Sequence, residues 1–365
     1  MKFFGFSDEF KIGDISYYIE TEYSPEKEIM TTKILKDGNI IYYKKNKVSK
    51  EMEETELLEL VKDFHLDTLN EFKKWGKISE KFLEEAPVEI HVKMAEKLIK
   101  MGLLEEGEKH LKKAIELNKD YSPIYKTYAI CYLLKGDYNK AFNYIAKALE
   151  LSPNYPDYYL LMGKLLIKLG KEKESLSFIN EALKRVSSYA EAHYEEVKAF
   201  LSLMIKGVKI EKEKIMAKLK ALSIMDPRLA GDEYKEALEY FDKGEYKKCF
   251  EKLEEMEKIF YERFPQEIIK DFTLLSKAGI KNPVTLREYI LRLESLLEEN
   301  KDYPDLYFAI SKSYLLFIKE IFKKAHYYLK KSIDLNPHYI EAQKVLELLE
   351  NEIKGFLIFL KAIER

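Results

Sequence analysis

Residues 122–155 read SPIYKTYAICYLLKGDYNKAFNYIAKALELSPNY, and this stretch decides the fold. Its apolar and small residues recur with the period of a helix on both sides of Gly136, which predicts two amphipathic helices joined by a short turn. Glycine is the usual residue where a helix ends in a left-handed backbone conformation. The stretch therefore predicts one helix–turn–helix unit.

The same unit recurs every 34 residues along the chain. Residues 88–121 and 156–189 align with residues 122–155 without gaps. The recurring positions are Gly102, Gly136 and Gly170, and Ala114, Ala148 and Ala182. Because one helix pair cannot bury its apolar face alone, the pairs are expected to stack into a solenoid.

This spacing resembles the tetratricopeptide repeat family. The residues that carry the resemblance in the middle unit are Tyr125, Ala129, Tyr132, Gly136, Ala141, Ala148 and Pro153. The resemblance covers residues 88–339 and implies a mostly α protein with about seven helix pairs in a right-handed α-solenoid. The later units drift: residues 190–227 carry an insertion, residues 265–300 match weakly, and residues 304–339 are lengthened near 318–322.

Residues 1–86 have a different pattern and are expected to form a small α+β domain. Residues 14–23, 28–36 and 39–45 are rich in β-branched and aromatic residues, and Asp37-Gly38 is a hairpin signal. These segments predict an antiparallel sheet of three strands, with residues 3–6 as the alternative fourth. The amphipathic segment 51–74 predicts a helix that covers one face of this sheet.

The N-terminal segment also loosely resembles a small domain of uncharacterised bacterial proteins, some of which carry tetratricopeptide repeats. The matching features are Thr21-Glu22, the Gly38 hairpin and a helix that contains His65. This resemblance implies an architecture and no particular chemistry.

Residues 340–365 are expected to end the solenoid. Residues 340–353 predict an amphipathic capping helix, and residues 356–360 (FLIFL) form an apolar tail. The sequence leaves open whether this tail packs on the last repeat, in a groove, or on a second copy of the chain. Residues 356–360 are too few to span a bilayer, and residues 1–13 lack the apolar core of a signal peptide. The interpretation is a cytoplasmic protein.

Composition and motifs favour no chemistry. The formal net charge of −2 gives no field that would attract nucleic acid, and two cysteines cannot build a disulfide framework. The six histidines lie in no zinc-binding spacing. His91 and His193 fall at a packing column of the repeat, and a role for His65 with Glu22 is the weaker alternative. The sequence therefore predicts no enzyme activity, metal or cofactor.

The family resemblance implies that the first helix of each repeat lines a concave groove that binds a partner. The expected partner-binding residues are Lys126, Ile130, Leu133, Leu160, Lys164, Ile167, Tyr194, Lys198, Leu201, Tyr234, Leu238, Phe241, Phe308 and Lys312. An apolar groove with a sparse row of lysines suits an amphipathic helix or an apolar peptide. The alternative is that a tight superhelix buries some of these residues against its own neighbours.

The leading hypothesis is a non-catalytic scaffold or adaptor that binds another protein in this groove. The alternative is a regulatory or enzymatic N-terminal domain with the repeat array as its targeting arm. Self-association through residues 355–365 is a further hypothesis about partners.

Overall fold

The structure is a computed structural model that describes residues 5–48, 52–257, 283–299 and 304–363, with the isolated positions 271, 274, 275 and 278. The chain divides into two compact units, Met1–Glu262 and Arg263–Arg365. Both are mainly helical, and the one sheet in the described ranges lies at the N-terminus of the first unit. This confirms a mostly α protein with a small N-terminal sheet. The domain boundaries 1–86, 88–339 and 340–365 stay a prediction.

Four antiparallel strands form the sheet in the order of the chain. They are β1 Gly5–Ile12, β2 Ile15–Ser24, β3 Ile29–Lys36 and β4 Asn39–Lys47. Alternation of buried and exposed residues is clearest in β2, as expected for a sheet with one covered face. Asp37 and Gly38 both adopt positive φ, at 49° and 77°, which is the backbone of a tight hairpin. The expected meander is confirmed, and the first strand is longer than residues 3–6 suggested.

Helix α1, Glu54–Glu84, covers the inner face of this sheet. Its apolar stripe, which includes Val61 and Phe72, is buried. The ring of Phe72 packs edge-on against Phe10 of β1 and Tyr42 of β4. The helix extends ten residues beyond the predicted end at 74. Its last turns reach past the sheet, and α1 also packs on the first helix pair.

Five helix pairs follow in the described residues of the first unit. They are α2 Val88–Lys100 with α3 Leu104–Leu117, α4 Pro123–Leu134 with α5 Tyr138–Leu151, α6 Pro156–Lys168 with α7 Glu172–Arg185, α8 Ala190–Ile205 with α9 Lys212–Met225, and α10 Asp232–Asp242 with α11 Tyr246–Met256. A short 3₁₀ segment, Pro227–Ala230, joins α9 to α10. These pairs confirm the predicted α-solenoid.

The recurring glycines of the sequence have the expected geometry. Gly136 and Gly170 end α4 and α6 with φ of 75° and 74°, a conformation that disfavours any side chain. At a helix crossing the reason is close approach: a Cβ on Gly163 would lie 2.6 Å from Cγ1 of Ile179. The 34-residue pattern therefore records both the turn and the crossing of each pair.

The N-terminal domain is joined to the first pair by buried polar contacts. The Tyr17 hydroxyl donates a hydrogen bond of 2.7 Å to Glu106 of α3. In α1, Ser79 lies 2.8 Å from Nε2 of His110, whose Nδ1 is 2.9 Å from Nδ1 of His91. All five of these residues are buried. The sheet, α1 and the first pair therefore share one interior.

The second unit contains α12 Pro283–Glu299, α13 Pro304–Leu335 and α14 Ile340–Ile363. The expected helix pair over residues 304–339 is wrong, because α13 is one continuous helix of 32 residues. Its middle, residues 318–322, has neither glycine nor proline to stop a helix. Helix α14 continues through the predicted tail, but the side chains of residues 356–360 lie outside the described part of the chain. Most of the turn expected in residues 265–300 also lies outside it.

Candidate functional site

The first helices of successive pairs carry a repeated apolar–lysine–apolar pattern. Lys164 of α6 and Lys198 of α8 occupy the same column, 34 residues apart. Each has an apolar residue four positions before it and three positions after it, which places all three on one side of the helix. These residues are Leu160, Lys164 and Ile167 on α6, and Tyr194, Lys198 and Leu201 on α8. We call this surface the α6/α8 face.

The structure divides the fourteen expected groove residues by accessibility. Eight are buried: Leu160, Lys164, Ile167, Tyr194, Lys198, Leu201, Tyr234 and Phe241. Five are half-buried: Lys126, Ile130, Leu133, Leu238 and Lys312. Phe308 alone among the fourteen is exposed, at 65%. Lys312 and Phe308 belong to the second compact unit and the others to the first. That they bind a partner stays a prediction.

Tyr234 and Phe241 pack the interior instead of lining an open surface, which corrects the picture of accessible aromatic anchors. Both lie in one apolar cluster with residues of α8, α9 and α11. The Tyr234 hydroxyl donates a 2.6 Å hydrogen bond to the Leu219 carbonyl oxygen. The physical reason is that α10 lies between α9 and α11, so its apolar stripe has neighbours on both sides.

The α6/α8 face is covered by α11 of the same chain. Helix α11 packs along α8, and the Tyr194 hydroxyl donates to the Leu253 carbonyl oxygen at 2.5 Å. The Phe250 side chain packs against the cluster that contains Leu160 and Ile167. A helix therefore already occupies the surface that the sequence assigned to a partner.

Carboxylates at the end of α11 meet the lysines of the face. Glu257 accepts hydrogen bonds from Lys198 at 2.8 Å and from Lys164 at 3.0 Å, and Glu254 accepts one from Lys168. Two carboxylates closer in sequence complete the network: Glu191 lies 2.6 Å from Lys164, and Glu195 lies 3.4 Å from Lys198. Both Lys164 and Lys198 are buried, so these contacts replace the water that the ammonium groups have lost.

The pKa values of the network reflect the replacement of water by these carboxylate contacts. Burial opposes ionisation of Glu257, but attraction to Lys164 and Lys198 outweighs it and lowers the Glu257 pKa to about 2. Burial also opposes the charge on Lys198, and Glu195 with Glu257 outweighs it, which raises the Lys198 pKa. Burial raises the pKa of Glu195 itself. The α11 carboxylate Glu257 is thus ionised, and it favours the charged form of the buried Lys198 ammonium group.

Another polar cluster lies in the N-terminal domain, where His65 and Thr21 are buried and Asp8 is exposed. Nδ1 of His65 is 2.9 Å from the Thr21 hydroxyl, and its Nε2 is 2.9 Å from the Asp8 carboxylate. Glu22, the partner suggested from the sequence, pairs with Lys33 instead. An acid–histidine–hydroxyl chain has the composition of a proton relay, but Thr21 is buried, at 1% exposure, and no substrate reaches its hydroxyl. The contacts account for the position of His65 under the sheet.

Other groups in the described ranges point to packing. No group of three or more histidine, cysteine or acidic residues among the described positions is placed to hold a metal ion. Cys131 and Cys249 are buried, and burial raises their thiol pKa values to about 11 and about 12. Such thiols are protonated and unreactive near neutral pH. Within the same ranges, no helix is long and apolar enough to cross a membrane.

Sequence reasoning missed Phe250, Glu254 and Glu257 as partners of the face. Their spacing of i, i+4 and i+7 places them on one side of a helix, opposite in charge to the lysine row. That complementarity is visible in the sequence. The contact itself joins residues up to 93 positions apart, which no repeat column predicts.

Solved structures similar to this chain are repeat proteins at low identity. One is described as YrrB, a TPR protein with an unusual peptide-binding site (23% identity, 46% of this chain, 80% of that chain, TM-score 0.33). Another is MamA (19%, 46% and 96%, TM-score 0.34), and a third is the first TPR of Spaghetti bound to an HSP90 peptide (18%, 34% and 94%, TM-score 0.30). At these values the likenesses carry no argument about partners. No relative is found among curated proteins.

Family comparison agrees with the helix pairs seen in the structure. A family described as tetratricopeptide repeat matches residues 88–121, and a second family of the same description matches residues 132–199. Together these matches cover α2 to α3, the end of α4, and α5 to most of α8. With the 34-residue spacing, the turn glycines and the stacked helix pairs, they show that this part of the chain is built of tetratricopeptide repeats.

Proposed function

We propose that this protein is a non-catalytic scaffold or adaptor whose concave surface binds a helical segment of another protein. Stacked helix pairs of this family form extended concave surfaces suited to protein–protein interaction. The observation that carries the proposal is α11 itself. An amphipathic helix lies on the α6/α8 face, with an aromatic side chain on its apolar floor and carboxylates on its lysines.

The half-buried residues of α4 extend the same surface beyond α11. Lys126, Ile130 and Leu133 lie at the columns that Leu160, Lys164 and Ile167 occupy one repeat later, and they keep partial exposure. A lysine followed by two apolar side chains on the same side of the helix is suited to a partner helix with one apolar stripe and an acidic edge. We propose α4 as the part of the surface that a partner contacts while α11 is in place.

The N-terminal domain is proposed to cap the array or to recruit a second protein. Its inner face is buried under α1, and α1 covers the first helix pair. Terminal units of a solenoid need such a cover because they lack a neighbour on one side.

Site-specific photo-crosslinking tests this function. A photoreactive amino acid at Ile130 is expected to give a discrete adduct with a partner protein in cells. The matched control is Lys184 on α7, whose side chain is 71% exposed. An excess of the wild-type chain without the photoreactive amino acid should abolish the Ile130 adduct. An excess of the chain with Lys126→Glu and Leu133→Gln should leave the adduct in place.

Two results would overturn the proposal. One is the same adducts at Ile130 and at Lys184. The other is an Ile130 adduct that the wild-type chain and the substituted chain compete away equally, because binding would then not depend on the α4 surface.

A further inference from the structure

The face of α11 that meets α6 and α8 has a defined chemistry. Phe250 packs on the apolar floor, and its ring lies 5.9 Å from the Lys198 ammonium. Glu254 and Glu257 follow at i+4 and i+7 and pair with Lys168, Lys164 and Lys198. The neighbouring side of α11 is apolar and joins the core cluster. The occupant is therefore an amphipathic helix with an aromatic residue and an acidic edge.

The lysines of the face make the acidic edge a requirement. Lys164 is 7% exposed and Lys198 is 2% exposed beneath α11. A helix without carboxylates at these positions would cover two ammonium groups and return only part of their lost hydration, which is strongly unfavourable. Glu191 and Glu195 come from α8 itself and are present with any occupant. Glu254 and Glu257 are the contribution of the occupant.

Helices α10 and α11 form a hairpin that packs on the rest of the unit mainly through α11. Its two helices pack closely on each other, and Gly244, at φ 78°, forms the turn between them. Its most extensive packing on the rest of the unit is that of α11 on α8, whereas α10 packs less extensively on α9. The 3₁₀ segment Pro227–Ala230 and Gly231 connect the hairpin to α9. Movement about this connection would uncover the α6/α8 face.

We propose that the α6/α8 face is a binding site selective for an acidic amphipathic helix, that α11 occupies it in cis, and that a partner helix of the same chemistry competes with α11 for it. This inference rests on the proposed function and adds the chemistry of the partner. The partner helix carries an aromatic residue with carboxylates four and seven positions later. Its apolar residues replace those that Leu253 and Met256 supply to the core cluster.

Competition by a defined peptide tests the proposal on the full chain. The probe is a fluorescent peptide of residues 243–257 with Cys249→Ala, and its matched control also carries Glu254→Gln and Glu257→Gln. The protein is wild type or the full chain with Glu254→Gln and Glu257→Gln, which weakens the cis occupant. We expect the acidic peptide to bind the substituted chain at least about tenfold more tightly than it binds the wild-type chain. We also expect it to bind the substituted chain about tenfold more tightly than the control peptide does.

Amide hydrogen exchange of residues 246–256 shows whether α11 is loosened in the substituted chain. If that chain loses its cooperative melting, Phe250→Ala in the full chain takes its place. Equal binding of the two peptides overturns the selectivity. If amide hydrogen exchange in α11 is faster in the substituted chain but the acidic peptide binds that chain no more tightly than wild type, the proposed competition is wrong. A doubled mass by light scattering, with residues 246–256 protected again, assigns the face to a second copy and also overturns a partner helix.

The outcome is separable from that of the proposed function. The Ile130 adduct depends on α4 and forms with α11 in place. If the Ile130 adduct forms but the peptides bind without selectivity, only the proposed competition at the α6/α8 face is rejected. If the peptides bind selectively but no Ile130 adduct forms, only the proposed partner surface on α4 is rejected.

Discussion

Acid should loosen the junction between the N-terminal domain and the first repeat through His110. This side chain has no exposed surface and lies between Ser79 and His91. The Ala86 backbone accepts a hydrogen bond from His91, so Nδ1 of His91 is left to accept from Nδ1–H of His110. Nε2 of His110 then accepts from the Ser79 hydroxyl. Protonation of His110 would place a positive charge in this buried site, where burial and the neighbouring His91 both oppose it.

The sign and the size follow from the shift of the His110 pKa. Burial, with repulsion from His91, lowers it from 6.5 to about 3. The unfolded chain therefore binds this proton below pH 6.5 while the folded chain does not. The contribution of His110 is complete above pH 6.5 and is lost as the pH falls toward 3. Between pH 8 and pH 5 the loss is about 2 kcal/mol of unfolding free energy. Burial also lowers the pKa of His91, which adds to the loss with the same sign.

Denaturant unfolding at pH 8, 7, 6 and 5 measures this loss, and His110→Gln is the informative variant. The glutamine amide can still form hydrogen bonds but does not titrate, so this variant should be less stable at pH 8 and lose less stability on acidification. His193→Gln is the matched control, since His193 is half-buried and contacts a backbone carbonyl. The reasoning is refuted if His110→Gln loses as much stability as wild type between pH 8 and 5. An NMR titration of His110 with a midpoint near 6.5 in the folded protein would refute it as well.

Four other changes have definite expected outcomes. Gly38→Val should destabilise the N-terminal sheet by about 1–2 kcal/mol, because the hairpin needs φ of 77°, and hydrogen exchange of the β3–β4 amides would report it. Gly163→Ala should cost about 1–3 kcal/mol in denaturant unfolding through overpacking at the α6–α7 crossing. Tyr234→Ala with Phe241→Ala should lower the melting temperature as a core substitution does, since both are buried; unchanged melting would return them to a partner surface. Deletion of residues 355–365 should cause aggregation or a new oligomeric state, and an unchanged mass by light scattering would show that they are dispensable.

Local rules were enough for much of the fold. The turn after α4 is predictable because only a few residues favour the left-handed φ of Gly136. The hairpin at Asp37-Gly38 is predictable for the same reason. Gly163 repeats the position of Ala95 and Ala129 in the 34-residue period, and the short distance to Ile179 explains why that position is small. Each of these features depends on a few neighbouring residues and one repeat period.

The errors share a different cause. The repeat period predicts a helix pair over residues 304–339, lengthened near 318–322, although no residue in that segment disfavours a helix. Tyr234 and Phe241 were assigned to a groove because their columns line one in regular arrays. Here residues of α8, α9 and α11 bury them instead. Packing between elements far apart in sequence decided these cases, and a repeat column carries no information about it.

The lysine row links this packing to function. Replacing Lys164 and Lys198 by apolar residues of similar size could leave the fold as stable or more stable, because a buried ion network seldom contributes net stability. In the proposed site its use would be selection, because a covered ammonium group tolerates an acidic neighbour and strongly disfavours an apolar or basic one. An array that only needed to pack α11 could have done so with an apolar face. A face that retains two buried lysines beneath an acidic helix has the chemistry to disfavour most helices and to accept those that resemble α11.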